Sequence, residues 1–108
     1  MLFWWFGSLE YERKIKMEIK LVRKHIIFKG RVQGVGFRYF CYTEANKMNL
    51  TGYVRNLYDG NVEMEVQGDY RDVEMYVFRI KQGDYFIRVD EAEVTDMKVK
   101  EESGFQIK

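Results

Sequence analysis

The stretch Gly30-Arg31-Val32-Gln33-Gly34-Val35-Gly36-Phe37-Arg38 packs three glycines into seven residues and then delivers an arginine. It constrains the fold because the hydrophobic period changes across it. Before it, Val22, Ile26 and Phe28 alternate with Arg23, His25 and Lys29, apart from Ile27, as in a strand with one buried face. After it, Phe37, Phe40, Cys41, Ala45 and Met48 follow the i, i+3, i+4 spacing of a helix, with Glu44 the polar exception. The glycines therefore join a strand to a helix. Closely spaced glycines let successive N–H groups turn inward as a nest for an anion. A helix N-terminus adds free N–H groups and a favourable dipole. Arg38 adds a planar cationic fork that matches phosphate oxygens. A cation at that end of a helix is unfavourable by itself, which argues for an anion beside it.

Taken alone, the glycine loop is also compatible with a plain tight turn. It is neither of two familiar nucleotide loops. Tyr39 stands where a dinucleotide fingerprint needs its third glycine, and no Gly-Lys-Ser/Thr follows.

The remaining pattern completes a layout. Asn49 is a helix stop, and Thr51 to Asn56 reads as a strand. Leu57-Tyr58-Asp59-Gly60-Asn61 carries the Asp-Gly turn signal, and Val62, Met64 and Val66 then alternate with Glu63, Glu65 and Gln67. Asp69 caps a second helix with Asp72 in its first turn, Tyr70, Val73, Tyr76, Val77 and Ile80 as its inward stripe, and Gly83 at its end. A strand follows from about Val89. Its alternation slips near Thr95-Asp96, which predicts a bulge or an early end there. Phe105 and Ile107, after Gly104, predict a short last strand. The order βαββαβ with a short extra C-terminal strand predicts an α+β, ferredoxin-like sandwich, an antiparallel sheet with two helices on one face.

Size and charge narrow the function. At 108 residues with 46% hydrophobic content, the chain can build one core. A net charge of +1 gives no global field for nucleic acid or an anionic membrane, so any anion site must be local. Cys41 and His25 are the only residues of their kinds. That excludes an internal disulfide and a multi-cysteine metal site, and leaves a two-histidine zinc site and a histidine triad without parts. A reducing cytoplasm is the default compartment. The apolar run Leu2, Phe3, Trp4, Trp5, Phe6 is too short for a membrane span and lacks the layout of a signal peptide. Met17 is an alternative start. Residues 1–16 are read as an extension without a functional part and residues 17–108 as the domain. Self-association, or a weak membrane-surface contact through the Trp/Phe cluster, stays open as the alternative for the extension.

A second motif, Gly52-Tyr53-Val54-Arg55-Asn56, changes the weight of the first. Phe28-x-Gly30-x-Val32-Gln33-Gly34-Val35-x-Phe37-Arg38 resembles the first signature of the acylphosphatase family, with Phe28 where an aliphatic residue is more usual. Gly52 to Asn56, then Gly60-x-Val62 and Gly68, resembles its second, in the same order and separation. The resemblance covers about Glu18 to Lys108. It implies hydrolysis of acyl phosphates to a carboxylate and inorganic phosphate with no cofactor and no metal. By position, Arg38 matches the arginine that binds the phosphoryl group. The N–H groups from Val32 through Gln33, Gly34, Val35 and Gly36 to Phe37 match the phosphate cradle. Asn56 matches the asparagine that holds the attacking water. The implied partners are a small-molecule acyl phosphate and, as competitors, inorganic phosphate or sulfate, with no nucleic acid and no membrane. A non-catalytic acylphosphatase-like module that binds an anion or carbamoyl phosphate is the alternative.

Other residues have plainer readings. His25 is a structural or solvated histidine, Cys41 a core residue, and Glu63 and Glu65 an exposed strand face. Gln33 can brace the loop through its amide, Arg55 points away from Asn56 into solvent, and Asn56 by itself could be a turn residue. RNA-recognition modules share this element order, but they need exposed aromatics where Val62-Glu63-Met64-Glu65-Val66 is acidic.

Overall fold

The alternation ahead of the glycine loop becomes β1 (Leu21–Arg31) in the computed structural model, which describes residues 19–108. Ile26 and Phe28 are fully buried on one face of it. β1 sits inside the sheet because β3 (Val62–Asp69) offers equally apolar partners, Val62, Met64 and Val66, all fully buried. The two strands run antiparallel, with Phe28 opposite Val62 and Ile26 opposite Met64. β2 (Thr51–Asn56) pairs antiparallel with β3 and turns into it through Leu57–Asn61. In that turn Gly60 takes φ 94°, and the Leu57 N–H reaches the Asn61 carbonyl at 2.8 Å.

β4 (Arg88–Met97) flanks β1 antiparallel, and β5 (Phe105–Ile107) lies parallel to β2. The sheet order among the described residues is β4-β1-β3-β2-β5. One face is covered by α1 (Phe37–Lys47) and α2 (Tyr70–Gln82). α1 buries Phe37, Cys41 and Ala45, and α2 buries Val73, Tyr76 and Ile80, following the two inward stripes of the sequence. Tyr70, at the start of its stripe, stays 38% exposed. Glu44 is buried, and its carboxylate accepts from Arg79 Nε at 2.6 Å, which keeps its charge partnered. Asn49 takes the left-handed φ of 56° just beyond α1, the Asp69 carboxylate accepts from the Arg71 N–H at 3.0 Å, and Gly83 closes α2. This is the ferredoxin-like α+β sandwich.

Two expectations are overturned. β4 runs through Thr95 and Asp96 in unbroken register, opposite His25 and Lys24. As an edge strand β4 buries little, so a polar residue on its nominally inner side costs little, and Lys24 pairs with Asp96. The register shift lies instead at Lys29/Gly30, where Gly30 has φ 129° and a Cβ would collide with the Arg88 carbonyl. Glu63 and Glu65 are also not an exposed face. Their side chains are only 14% and 13% exposed on the sheet face away from the helices. Cations and a phenol from neighbouring strands cover them. Arg23 Nε donates to Glu65 at 2.9 Å, Arg55 Nε to Glu63 at 2.6 Å, and the Tyr53 hydroxyl to Glu65 at 2.8 Å. His25 Nε2 lies 2.9 Å from Glu63.

The link between β4 and β5 lies against that same face. Gln67 Nε2 donates to the Lys100 carbonyl at 2.7 Å, and Arg23 Nη1 donates to Glu102 at 2.8 Å. No helix among the described residues is long and apolar enough to cross a membrane. The extension 1–16, with its apolar run, and the alternative start Met17 lie outside the described residues.

Candidate active site

The connection between β1 and α1 is held at both ends by the core. Val32 and Phe37 are each 1% exposed, and the Phe37 ring meets that of Phe28 edge-on at 5.1 Å. Between these anchors Gly34 and Gly36 take φ 73° and 78°, a left-handed conformation that a side chain disfavours. A Cβ at either position would meet nothing within 4 Å. The glycines are thus required by backbone direction rather than by crowding. They also leave open space in front of the loop. Gly36 is the N-cap of α1 and gives it no side-chain cap, and the first turn carries no acidic residue. Among the described residues no carboxylate satisfies the free N–H groups there, as a site for an external anion requires.

Gln33 turns away from that space. Its Nε2 donates to the Leu57 carbonyl at 2.8 Å and to the Asn61 carbonyl at 2.7 Å. It thereby ties the glycine loop to the β2–β3 turn, directly after Asn56. Val35 packs against the rim of the core.

Arg38, the second residue of α1, is half-buried, and its Nη1 donates to the Lys108 carbonyl at 3.3 Å. Asn56 is the exposed last residue of β2. The two side chains, with Gly34 and Gly36, line one pocket of about 200 Å³. Val32 and Phe37 form part of its wall, whereas the loop residues Gln33 and Val35 do not line it. Drug-sized ligands occupy roughly 300–1,000 Å³. This pocket therefore suits a small anion with a short tail. Arg38 is the one charged side chain among the described residues that line it.

Two further residues reach the pocket, Tyr39 and Ile107, and neither was singled out as a site residue in the sequence. Tyr39 sits off the apolar stripe of α1, which was the available signal. Ile107 arrives only because β5 pairs parallel to β2, with Ile107 opposite Val54. That pairing leaves no local trace.

The other titratable groups lie elsewhere. Cys41 is fully buried, and burial pushes its thiol far above the ordinary range, so it stays a neutral core residue. The Tyr76 hydroxyl donates to the Cys41 carbonyl at 2.8 Å. His25 belongs to the Glu63 cluster on the opposite sheet face. Among the described residues, no three of His, Cys, Asp and Glu come together in a way that could hold a metal ion.

The family model described as Acylphosphatase matches residues 24–107. An acylphosphatase of Clostridium beijerinckii is 45% identical over 89 residues, which cover 82% of this chain and 99% of that one. An acylphosphatase of Bifidobacterium longum is 42% identical over 90 residues, covering 83% and 93%. The crystal structure of acylphosphatase from Bacillus subtilis superimposes with a TM-score of 0.77 at 39% identity, covering 80% of this chain and 97% of that chain.

Proposed function

The chain belongs to the acylphosphatase family, and from that membership we propose how its own residues carry the reaction. It is an acylphosphatase, an enzyme whose substrate is a small-molecule acyl phosphate. In our reading the N–H groups from Val32 to Phe37 and the guanidinium of Arg38 hold the three phosphoryl oxygens. They neutralise charge that spreads over those oxygens in the transition state. The Asn56 amide orients a water in line with the acyl oxygen. The water oxygen forms a new bond to phosphorus as the bond from phosphorus to the acyl oxygen breaks. The electron pair leaves with the carboxylate, and a phosphoryl oxygen takes the proton. An amide is no strong base, but the mixed anhydride carries a good leaving group and needs positioning more than proton abstraction.

The observation that carries this reading is the single pocket shared by Gly34, Gly36, Arg38 and Asn56. The reaction so described needs no metal and no cofactor. Inorganic phosphate and sulfate compete for the cradle, nucleic acid and membrane play no part, and the protein works in the cytoplasm. Residues 17–108 form the functional unit, and 1–16 are an extension outside it. A non-catalytic anion-binding module is not favoured, because the full-length relatives matched are themselves acylphosphatases.

The test is release of phosphate from benzoyl phosphate in EDTA by the wild type, Arg38→Ala and Asn56→Ala. Fast turnover by the wild type alone is expected. A folded wild type that binds phosphate without turnover would move the assignment to the binding module. Undiminished activity in both variants would remove the residue roles.

A further inference from the structure

We propose that Tyr39 and Ile107 form an apolar rim that receives the acyl group, so that the enzyme favours acyl phosphates with aromatic or bulky apolar tails. This rests on the phosphate-cradle reading above. Once Gly34, Gly36 and Arg38 hold the phosphoryl group and Asn56 the water, the rest of the pocket wall must face the acyl group. Val32 and Phe37 are each 1% exposed, so their side chains are already committed to the core. Tyr39 and Ile107 are 68% and 41% exposed. Single exposed apolar side chains are ordinary on any surface. These two differ because they come from α1 and β5 and converge on the pocket that also holds Arg38 and Asn56. The Tyr39 ring leans on Tyr42, with centroids 6.2 Å apart and planes tilted by 32°, which limits its freedom before any ligand arrives.

Charge points the same way. Arg38 is the one charged side chain among the described residues lining the pocket, and the phosphoryl group takes it. The neighbouring Lys108 ammonium lies 4.1 Å from the centroid of the Tyr53 ring, in a cation–π contact of its own. A tail bearing a second anionic group would find no further cation among the described residues of the rim. A neutral aromatic ring would instead stack on Tyr39 and cover Ile107.

The test compares kcat/KM for benzoyl phosphate and acetyl phosphate in the wild type, Tyr39→Ala, Tyr39→Phe and Ile107→Ala. The ratio of the two values, followed across variants, cancels the different intrinsic reactivities of the two anhydrides. The benzoyl-to-acetyl ratio is expected to fall about five- to tenfold in Tyr39→Ala and to hold in Tyr39→Phe, in keeping with the modest discrimination apolar contacts give. A ratio within about twofold of wild type in both alanine variants overturns the rim, however fast the hydrolysis. Calorimetry with phenylphosphonate and methylphosphonate supplies an arm that needs no turnover. The rim predicts tighter binding of phenylphosphonate by the wild type and loss of that margin in Tyr39→Ala. A wild type that binds both phosphonates equally also overturns it. Failure to hydrolyse either anhydride would count against the hydrolytic reading, and the phosphonate arm would still decide the rim.

Discussion

Gly36 holds φ 78° and ψ 17° at the head of α1, with open space where a Cβ would stand. Gly36→Ala therefore meets no steric clash and costs only the left-handed conformation, about 1–2 kcal/mol. In a domain of this size that lowers Tm by roughly 4–8 °C per kcal/mol. Relief of the strain would rotate an N–H out of the cradle, so phosphate inhibition should weaken more than stability does. Thermal melts beside inhibition constants read both, and an unchanged inhibition constant would show that the Gly36 conformation does not serve the anion. Gly52 makes the contrast. At φ 140° its added Cβ would run into the Glu65 carbonyl across the sheet, so Gly52→Ala should fail to fold. For Arg38→Ala, loss of the charged fork is expected to lower kcat/KM about 10²–10³-fold, as removal of one transition-state donor does elsewhere. Arg38→Lys should recover little of it, because a point charge does not reproduce two parallel donors. That Arg38 and Asn56 would come together beside Gly34 and Gly36 was legible in the sequence, because each sits within a short local motif. Ile107 was not, because its place in the pocket depends on where a distant strand docks.

At the scale of elements, the mechanism we propose needs the β1–α1 loop and the β2–β3 turn to keep a fixed distance, so that Arg38 and Asn56 act on one phosphorus atom. Gln33 is the visible tie between them, through the Leu57 and Asn61 carbonyls. Both carbonyls also accept backbone N–H groups, Leu57 from Gly60 and Asn61 from Leu57, so Gln33→Ala leaves neither without a partner. The expected loss is about 1–2 kcal/mol of stability for the two hydrogen bonds. The functional loss should appear in kcat, roughly tenfold or more, since small misplacements of a positioned group can cost up to about a hundredfold. Phosphate inhibition should change little, because the cradle uses backbone N–H groups. A kcat equal to wild type in steady-state kinetics would show that the tie does not set the position of Asn56. The elements themselves were readable from periodicity, since both helices and the β2–β3 hairpin carry one apolar face each. β4 was misread at Thr95-Asp96 because an edge strand has no buried face to enforce alternation. The partner of β5 was unreadable for a related reason. Three residues, Phe105–Ile107, carry too little pattern to specify a parallel neighbour.

Across the whole molecule the sheet separates two functions between its faces and ends. The helix-covered face supplies the apolar core, and the other face holds a charged layer around Arg23, which is 1% exposed. Burial raises the carboxyls of Glu63, Glu65 and Glu102, but hydrogen bonds more than offset it. His25, Arg55 and Tyr53 act on Glu63, Tyr53 and Arg23 on Glu65, and Arg23 on Glu102, so all three lie below the usual glutamate range. A carboxyl whose folded pKa is depressed stabilises the fold above its unfolded pKa, near about 4.3, and loses that contribution as pH falls through the lower folded value. Urea unfolding should therefore show stability declining from about pH 5 downward as these groups take up protons. Arg23→Met should cost about 3–5 kcal/mol at neutral pH, because it leaves Glu65 and Glu102 covered and without their cation. The same variant should flatten the acid decline, since both carboxyls return toward ordinary values. Should Arg23→Met fail to fold, Glu102→Gln tests the layer more gently by removing one titrating partner. Parallel pH profiles for wild type and variant would refute the assignment. The Glu102 contact also holds the 98–104 link that delivers β5, and with it Ile107, to the pocket on the far end of the sheet. Acid should therefore loosen the acyl rim before it unfolds the core, and the benzoyl-to-acetyl ratio should fall at a higher pH than the unfolding transition.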